Sequence, residues 1–245
     1  MTIGVIGAGN MARALARGWS EPLLATDGGS GRAAALVDEL GGEALGSNAE
    51  LAERADLVLL ACKPYQLETI AGEISGKAQR VLSVLAGTTV DQLRSALPGA
   101  TVVRSMPNTP VEVRRGVTIV AEESDDDQEA RALLERVGVV MVLPERLMDV
   151  AASTSGVSPA YVAMVAEAMI DAAVKRGLTA PVATQLVVET LAGSAALLAA
   201  RDGDTLAVRR EVTSPGGTTA RGLAALERAG LRSAFVQAMD ATLGS

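Results

Sequence analysis

The chain has no histidine, a single cysteine and very few aromatic residues: one Trp, two Tyr and one Phe among 245 residues. Each shortage excludes something. One cysteine cannot form an internal disulfide, and without imidazoles a zinc site is implausible, so no metal is expected. The side chain that most often serves as general acid–base, or activates a thiol nucleophile, is also missing. The formal charge is −7 with no long basic run, which argues against a nucleic-acid partner when so few rings are present to stack on bases. An anionic ligand would have to be held by backbone amides and a few local cations. The longest apolar stretch, Leu186 to Ala200, is interrupted by Glu189 and is expected to be too short to cross a bilayer. No basic segment with a signal-like apolar region precedes the first apolar run, so a cytoplasmic protein off the membrane is expected. What is abundant is small and branched aliphatic side chains. Hydrophobic residues make up 49% of the chain, enough for one large core or two modest ones.

Up to about Leu143 the pattern alternates apolar strands with helices: strands at 3–6, 23–26, 56–61, 80–84, 101–104, 116–121 and 137–142, each followed or preceded by a helical stretch. Unbroken apolar strands alternating with helices predict a parallel sheet covered on both faces. From Asp149 onward strand signals vanish. Ser158-Pro159 opens a long helix to Lys175, stopped by Gly177; Pro181 opens a second to about Arg201, and two more follow Gly216 and Leu231. The expected architecture is α/β, a Rossmann-type dinucleotide-binding domain over 1–147 and an all-helical dimerisation domain over 148–245. The helices around Ala160 to Val174 and Leu186 to Ala200 are apolar around much of their circumference, more than so short a domain can bury alone. A two-chain bundle is therefore expected.

The first strand runs straight into Gly7-Ala8-Gly9-Asn10-Met11-Ala12 and then a helix. Gly7 permits the tight turn, Gly9 lets a phosphate approach the backbone, and Ala12 lets the helix pack closely on the strand. Asn10 and Met11 open that helix, whose free N–H groups and positive dipole end point at an anion, usually a dinucleotide pyrophosphate. At the end of the second strand the cues conflict. Asp27 stands where a carboxylate usually bonds the adenosine ribose and marks NAD. Yet Gly28-Gly29-Ser30-Gly31-Arg32 follows, an amide-rich loop whose Ser30 hydroxyl and Arg32 suit a 2′-phosphate. NADPH is expected to be favoured, with NADH usable. Cys62-Lys63-Pro64 follows the third long strand; Lys63 could donate to the cofactor while Pro64 starts the next helix, and Cys62 suits a small buried position better than a nucleophile.

Arg104-Ser105-Met106-Pro107-Asn108-Thr109-Pro110 fixes an irregular backbone that presents Asn108 on the nicotinamide side. In the helical half, Val212-Thr213-Ser214-Pro215-Gly216-Gly217-Thr218-Thr219 offers the hydroxyls of Ser214, Thr218 and Thr219 and the amides of Gly216 and Gly217, suited to a small carboxylate. The same residues would equally make an ordinary helix cap.

Together these motifs resemble the pyrroline-5-carboxylate reductase family, over essentially the whole chain and in order. The matching elements are residues 7–12, 62–64 and 106–110, Pro159-Ala160-Tyr161, the stretch from Glu167 to Leu178, and 213–219. Two departures stand out: Ser155-Gly156-Val157-Ser158 replaces the family's usual run before the long helix, and Asp27 to Arg32 replaces its usual adenosine-phosphate loop. The resemblance implies hydride transfer from a reduced nicotinamide to the cyclic imine pyrroline-5-carboxylate, giving proline. It also implies that Ser214 and residues 216–219 hold the substrate carboxylate, with the Thr219 hydroxyl near the ring nitrogen as the catalytic contact, and that Lys63 and Asn48 touch the cofactor. An interlocked homodimer, or a larger assembly of dimers, follows from the same resemblance. Competing readings are a reductase of another cyclic imine, a 3-hydroxyacid-type dehydrogenase, and a catalytically silent NADP-binding regulatory protein.

Overall fold

The computed structural model describes residues 1–244; Ser245, the last residue of the expected helical domain, lies outside the described residues. In chain order the elements are β1 (Ile3–Ile6), α1 (Asn10–Trp19), β2 (Leu23–Thr26), α2 (Arg32–Leu40), β3 (Gly42–Ala44), α3 (Asn48–Arg54), β4 (Leu57–Leu60), α4 (Leu67–Ile74), β5 (Arg80–Ser83), α5 (Val90–Ala96) and β6 (Thr101–Pro107). There follow β7 (Gly116–Ala121), α6 (Gln128–Glu135), β8 (Gly138–Leu143), α7 (Met148–Ala151), α8 (Ser158–Val174), α9 (Ala180–Ala199), α10 (Thr205–Glu211), α11 (Thr218–Arg228) and α12 (Leu231–Leu243). The eight strands form one sheet in the order β3-β2-β1-β4-β5-β6-β7-β8. Both faces are covered: Leu15, Trp19, Leu36 and Leu134 lead the core on one side, Leu51, Ile74, Leu85 and Leu93 on the other. This is the expected Rossmann-type α/β unit, and helices alone follow it.

The all-parallel expectation fails at one seam. Strands β1 to β6 pair in parallel, but β7 runs antiparallel to β6, with Ser105 opposite Val120, and β8 lies parallel to β7. The linker from Asn108 to Arg115 contains only a 3-10 turn, Thr109–Val113. A parallel return needs a crossover of roughly a dozen residues or more, so this short link can only turn the chain back. Three elements were not anticipated, among them the four-residue helix α7. β3 is three exposed residues at the sheet edge, and α10 is a polar helix whose first turn is capped by Asp204, accepting from the amides of Leu206 and Ala207.

The chain divides into two compact units, Met1–Pro159 and a second beginning at Ala160. The first unit continues past Leu147 because fully buried Met148 packs with Val90, Ile119 and Ala121. In the second unit the only buried hydrophobic residues among those described are Ala183 and Val187, while Val162, Met164, Leu186, Phe235 and Val236 are exposed. The length argument against membrane helices also needs correcting. The run 145–174 and α9 are both long and apolar enough to cross a bilayer by length and composition, because the apolar run of α9 begins at Ala180, well before Leu186.

One ion pair braces the far side of the sheet. Arg80 on β5 donates through Nε to Asp127 Oδ2 at 2.8 Å, and Asp127 also caps α6 by accepting from the Ala130 amide at 2.9 Å. Burial pushes the Asp127 carboxyl up, but the Arg80 guanidinium and the Ala130 amide outweigh it and hold the group below the usual carboxylate range. A carboxyl with a depressed folded-state value stabilises the fold above the ordinary carboxylate range and loses that contribution as pH falls through the folded value. Asp127→Asn should therefore lower stability at neutral pH and flatten its decline below about pH 4, as read by urea unfolding across the acid range.

Candidate active site

The glycine turn has the geometry its residue types imply. Gly7 is left-handed at φ +96°, and a Cβ placed on it would lie 2.8 Å from the backbone of Ala61 and Cys62, so β1 and β4 can approach only because that carbon is missing. Around Gly9 nothing lies within 4 Å of a would-be Cβ. Gly9 is the N-cap of α1 and offers no side-chain cap, so the first amides of the helix face open space. Ala12 and Ala16 are fully buried against the sheet. Asn10 accepts from Arg13 Nη2 at 2.8 Å, which fixes its side chain beside the turn.

This turn opens into two adjoining cavities at the carboxyl edge of the parallel strands, where open α/β sheets bind ligands. One, of about 480 Å³, is lined by Gly7, Gly9, Asn10, Met11, Ser30, Arg32, Lys63 and Pro64 among others, so it gathers eight of the ten residues expected to meet a cofactor. The second, of about 460 Å³, holds Asn48. Gly7, Asp27, Gly28, Cys62 and Gln66 line both, making one elongated groove. Its unpaired helix end, its open glycine and its rim cations fit a dinucleotide. Asn48 spans the floor: its Oδ1 accepts from Thr26 Oγ1 at 2.5 Å, and its Nδ2 donates to Glu73 Oε2 at 2.6 Å. Thr26, Gln66 and Glu73 were not anticipated. Only Gln66 left a trace in the sequence, three residues after Lys63, whose amide it accepts from at 3.0 Å.

Several expectations change in detail. The Ser30 hydroxyl and the loop amides, expected for a 2′-phosphate, already donate to Asp27. The reason is local: Asp27 sits just before the loop and its short side chain folds back over it. Arg32 is exposed, with no ion pair among the described residues. Asn108 lines neither cavity; it is buried, donating to the Ser155 carbonyl at 3.1 Å and accepting from the Val117 amide at 2.8 Å. It thus stitches β7 to the π-turn Ala152–Gly156. Cys62, expected as a small buried residue, is instead half-buried where the two cavities meet, and that partial burial pushes its thiol up to about 11.

In the second unit the 213–219 segment joins α10 to α11. Gly217 caps α11 without a side-chain bond, and its amide donates to the Ser214 carbonyl at 3.0 Å. Gly216 is left-handed at φ +65°. Ser214 Oγ lies over Gly217, where a Cβ could not fit. The hydroxyls of Ser214 and Thr219 donate no hydrogen bond within the described residues, whereas Thr218 Oγ1 and the Gly216 carbonyl both face Arg221, at 3.5 and 2.8 Å. Arg221 was missed. It sits on the first turn of α11, where it reads as an ordinary solvated charge.

Comparison with known proteins matches residues 145–244 to the family model for pyrroline-5-carboxylate reductase dimerisation, and residues 2–87 to that for coenzyme F420-dependent NADP oxidoreductases. A pyrroline-5-carboxylate reductase from Synechocystis is 38% identical over 79% of this chain and 75% of its own. The solved pyrroline-5-carboxylate reductase of Coxiella burnetii is 32% identical, covers 99% of this chain and 96% of its own, and superposes with a TM-score of 0.85. The Plasmodium falciparum enzyme, solved with NADP bound, is 27% identical with a TM-score of 0.87, covering 99% of this chain and 95% of its own.

The glycine geometry separates folding from binding. Gly9→Ala should leave the melting temperature unchanged, because its methyl meets nothing, yet weaken nicotinamide-dinucleotide binding by about tenfold or more by occupying the phosphate's approach. Fluorescence titration together with thermal unfolding checks both halves.

Proposed function

Because the chain belongs to the pyrroline-5-carboxylate reductase family, we propose that it reduces 1-pyrroline-5-carboxylate to L-proline with a reduced nicotinamide cofactor, the last step of proline biosynthesis. The observation that carries this reading in the molecule is the amide end of α1 opening through Gly9 into a groove rimmed by Arg32 and Lys63. When bound, the cofactor supplies a hydride to the imine carbon. The protein's part is alignment and charge. A protonated cyclic imine is already electrophilic, so a chain without histidine is not short of an acid it needs. Gly7, Gly9, Asn10 and Met11 receive the pyrophosphate, and Lys63, Pro64 and Asn48 fix the adjoining parts of the cofactor. Asn108 acts from behind, holding the nicotinamide-side loop in shape rather than touching the ring. Both NADPH and NADH serve: Arg32 offers a 2′-phosphate one unpaired guanidinium, and nothing in the groove obstructs the unphosphorylated ribose.

Ser214 and the amides of Gly216, Gly217 and Thr218 hold the substrate carboxylate, and Thr219 places its hydroxyl at the ring nitrogen. The free hydroxyls of Ser214 and Thr219 on an uncapped helix start support this assignment. Thr219→Ala should reduce kcat/KM by about 10- to 150-fold, the loss of one hydrogen bond made at the reacting centre. Ser214→Ala should act mainly on KM for the imine, since a carboxylate is held alike in ground and transition states. NADPH affinity should stay within about twofold in both, one hydrogen bond to the other ligand being all that is removed. Either variant losing NADPH instead would move this segment to the cofactor. Steady-state oxidation of NADPH with and without pyrroline-5-carboxylate, against a panel of other cyclic imines, tests the substrate.

The same reading makes the protein a cytoplasmic homodimer, or an assembly of dimers, with a second copy covering the apolar helices of the second unit. The dimerisation model over 145–244 supports this, as does the scarcity of buried hydrophobic residues after Ala160. A bilayer would cover the same faces, so the test runs without detergent. Light scattering should give the mass of at least two chains in buffer alone, and an active monomer at low concentration would refute the bundle.

A further inference from the structure

The loop that opens α2 is built to hold an anion, and it already holds one of its own. Oδ1 of Asp27 accepts from the amides of Gly29 at 2.7 Å and Ser30 at 3.0 Å; Oδ2 accepts from the Ser30 hydroxyl at 3.0 Å and the Ala33 amide at 2.8 Å. Gly29 and Gly31 are left-handed at φ +85° and +74°, which turns successive N–H groups toward one point. Gly31 gives α2 no side-chain cap, so the carboxylate of Asp27 takes that place from outside the helix. Burial pushes the carboxyl up, but the amides of Ala33 and Gly29 and the Ser30 hydroxyl outweigh it and favour the charged form. A carboxylate has about four acceptor sites, and four donors fill them.

That saturation separates Asp27 from the usual acidic residue at the end of a second Rossmann strand, which needs free lone pairs to take ribose hydroxyls. Asp27 has none to spare, yet it lines both halves of the groove. We propose that Asp27 is a resident substitute for the cofactor's 2′-phosphate, and that by occupying the loop's donors it sets the choice between NADPH and NADH. NADH binds with the loop as it stands. NADPH meets a standing negative charge and finds only the Arg32 guanidinium free. This rests on the groove being the dinucleotide site and extends that reading to which dinucleotide it selects.

The test uses adenosine 2′,5′-bisphosphate, which carries the 2′-phosphate, and 5′-AMP, which does not, titrated calorimetrically into the full-length protein. Asp27→Asn removes the charge and releases the Ser30 hydroxyl and the Ala33 amide. It should tighten the bisphosphate by about tenfold or more, while 5′-AMP stays within about twofold and so reports an intact groove. The KM values for NADPH and NADH should move in the same pattern. Ser30→Ala supplies an independent arm: with Asp27 in place it should leave bisphosphate affinity unchanged, because that hydroxyl is already spent, but in the Asp27→Asn background it should remove part of the gain. If Asp27→Asn instead weakens 5′-AMP about tenfold, the carboxylate reads the ribose and the proposal fails. If Ser30→Ala weakens the bisphosphate in the otherwise unaltered protein, the loop was never occupied, and the proposal fails again. A protein that binds neither nucleotide overturns the groove assignment and this proposal together. One that shows the expected nucleotide pattern but no imine reduction upholds the proposal and strikes only the substrate.

Discussion

The contact on which the rest of the first unit depends is between the end of β1 and the chain leaving β4, made possible by the missing side chain of Gly7. From β1 the chain goes outward to β2 and β3, then returns past its starting strand to β4 and β5. The loops after β1 and β4 therefore diverge to opposite faces of the sheet, and the crevice between them is the groove. A methyl group at Gly7 would meet Ala61 and Cys62 and push apart the two strands whose closeness defines that crevice. The free amides of α1, the Asp27 loop and Lys63 are all placed by where β1, β2 and β4 end.

Much of this was legible because certain residue types have only one mechanical use in their setting. A glycine before a helix, a second glycine two residues later and an alanine inside the first turn leave little freedom once an apolar strand precedes them. The start of α11 was legible for a similar reason, with Pro215 and two glycines placed just before it. The alternation of strands and helices revealed both cores, because strands such as β1, β2 and β4 are buried on both faces and helices such as α1 and α4 on one.

Other features were hidden for physical reasons. Asp27 and Arg32 were recognised as opposed, but a sequence does not say where a short carboxylate points, and that orientation decides what Ser30 and the loop amides are free to do. Asn108 carries a side chain suited to a ligand, yet its amide group is used on both ends to join β7 to the turn at 152–156. The reversal between β6 and β7 leaves the apolar pattern of each strand untouched, so only the length of the linker could have revealed it. Thr26 and Glu73 come from different elements and meet through Asn48, a juxtaposition with no sequence spacing to betray it.

The scarcity of aromatic residues has a spectroscopic consequence. Trp19, the only tryptophan, is buried at the end of α1 with its indole N–H donating to the Leu133 carbonyl at 3.0 Å. Its emission therefore reports the packing of the first unit alone. The second unit has no tryptophan but contributes long uninterrupted helices to the far-ultraviolet dichroism. Two optical signals from one unlabelled sample can thus follow the two units as they unfold, and their coincidence or separation along a denaturant series measures how strongly the units share a single cooperative transition.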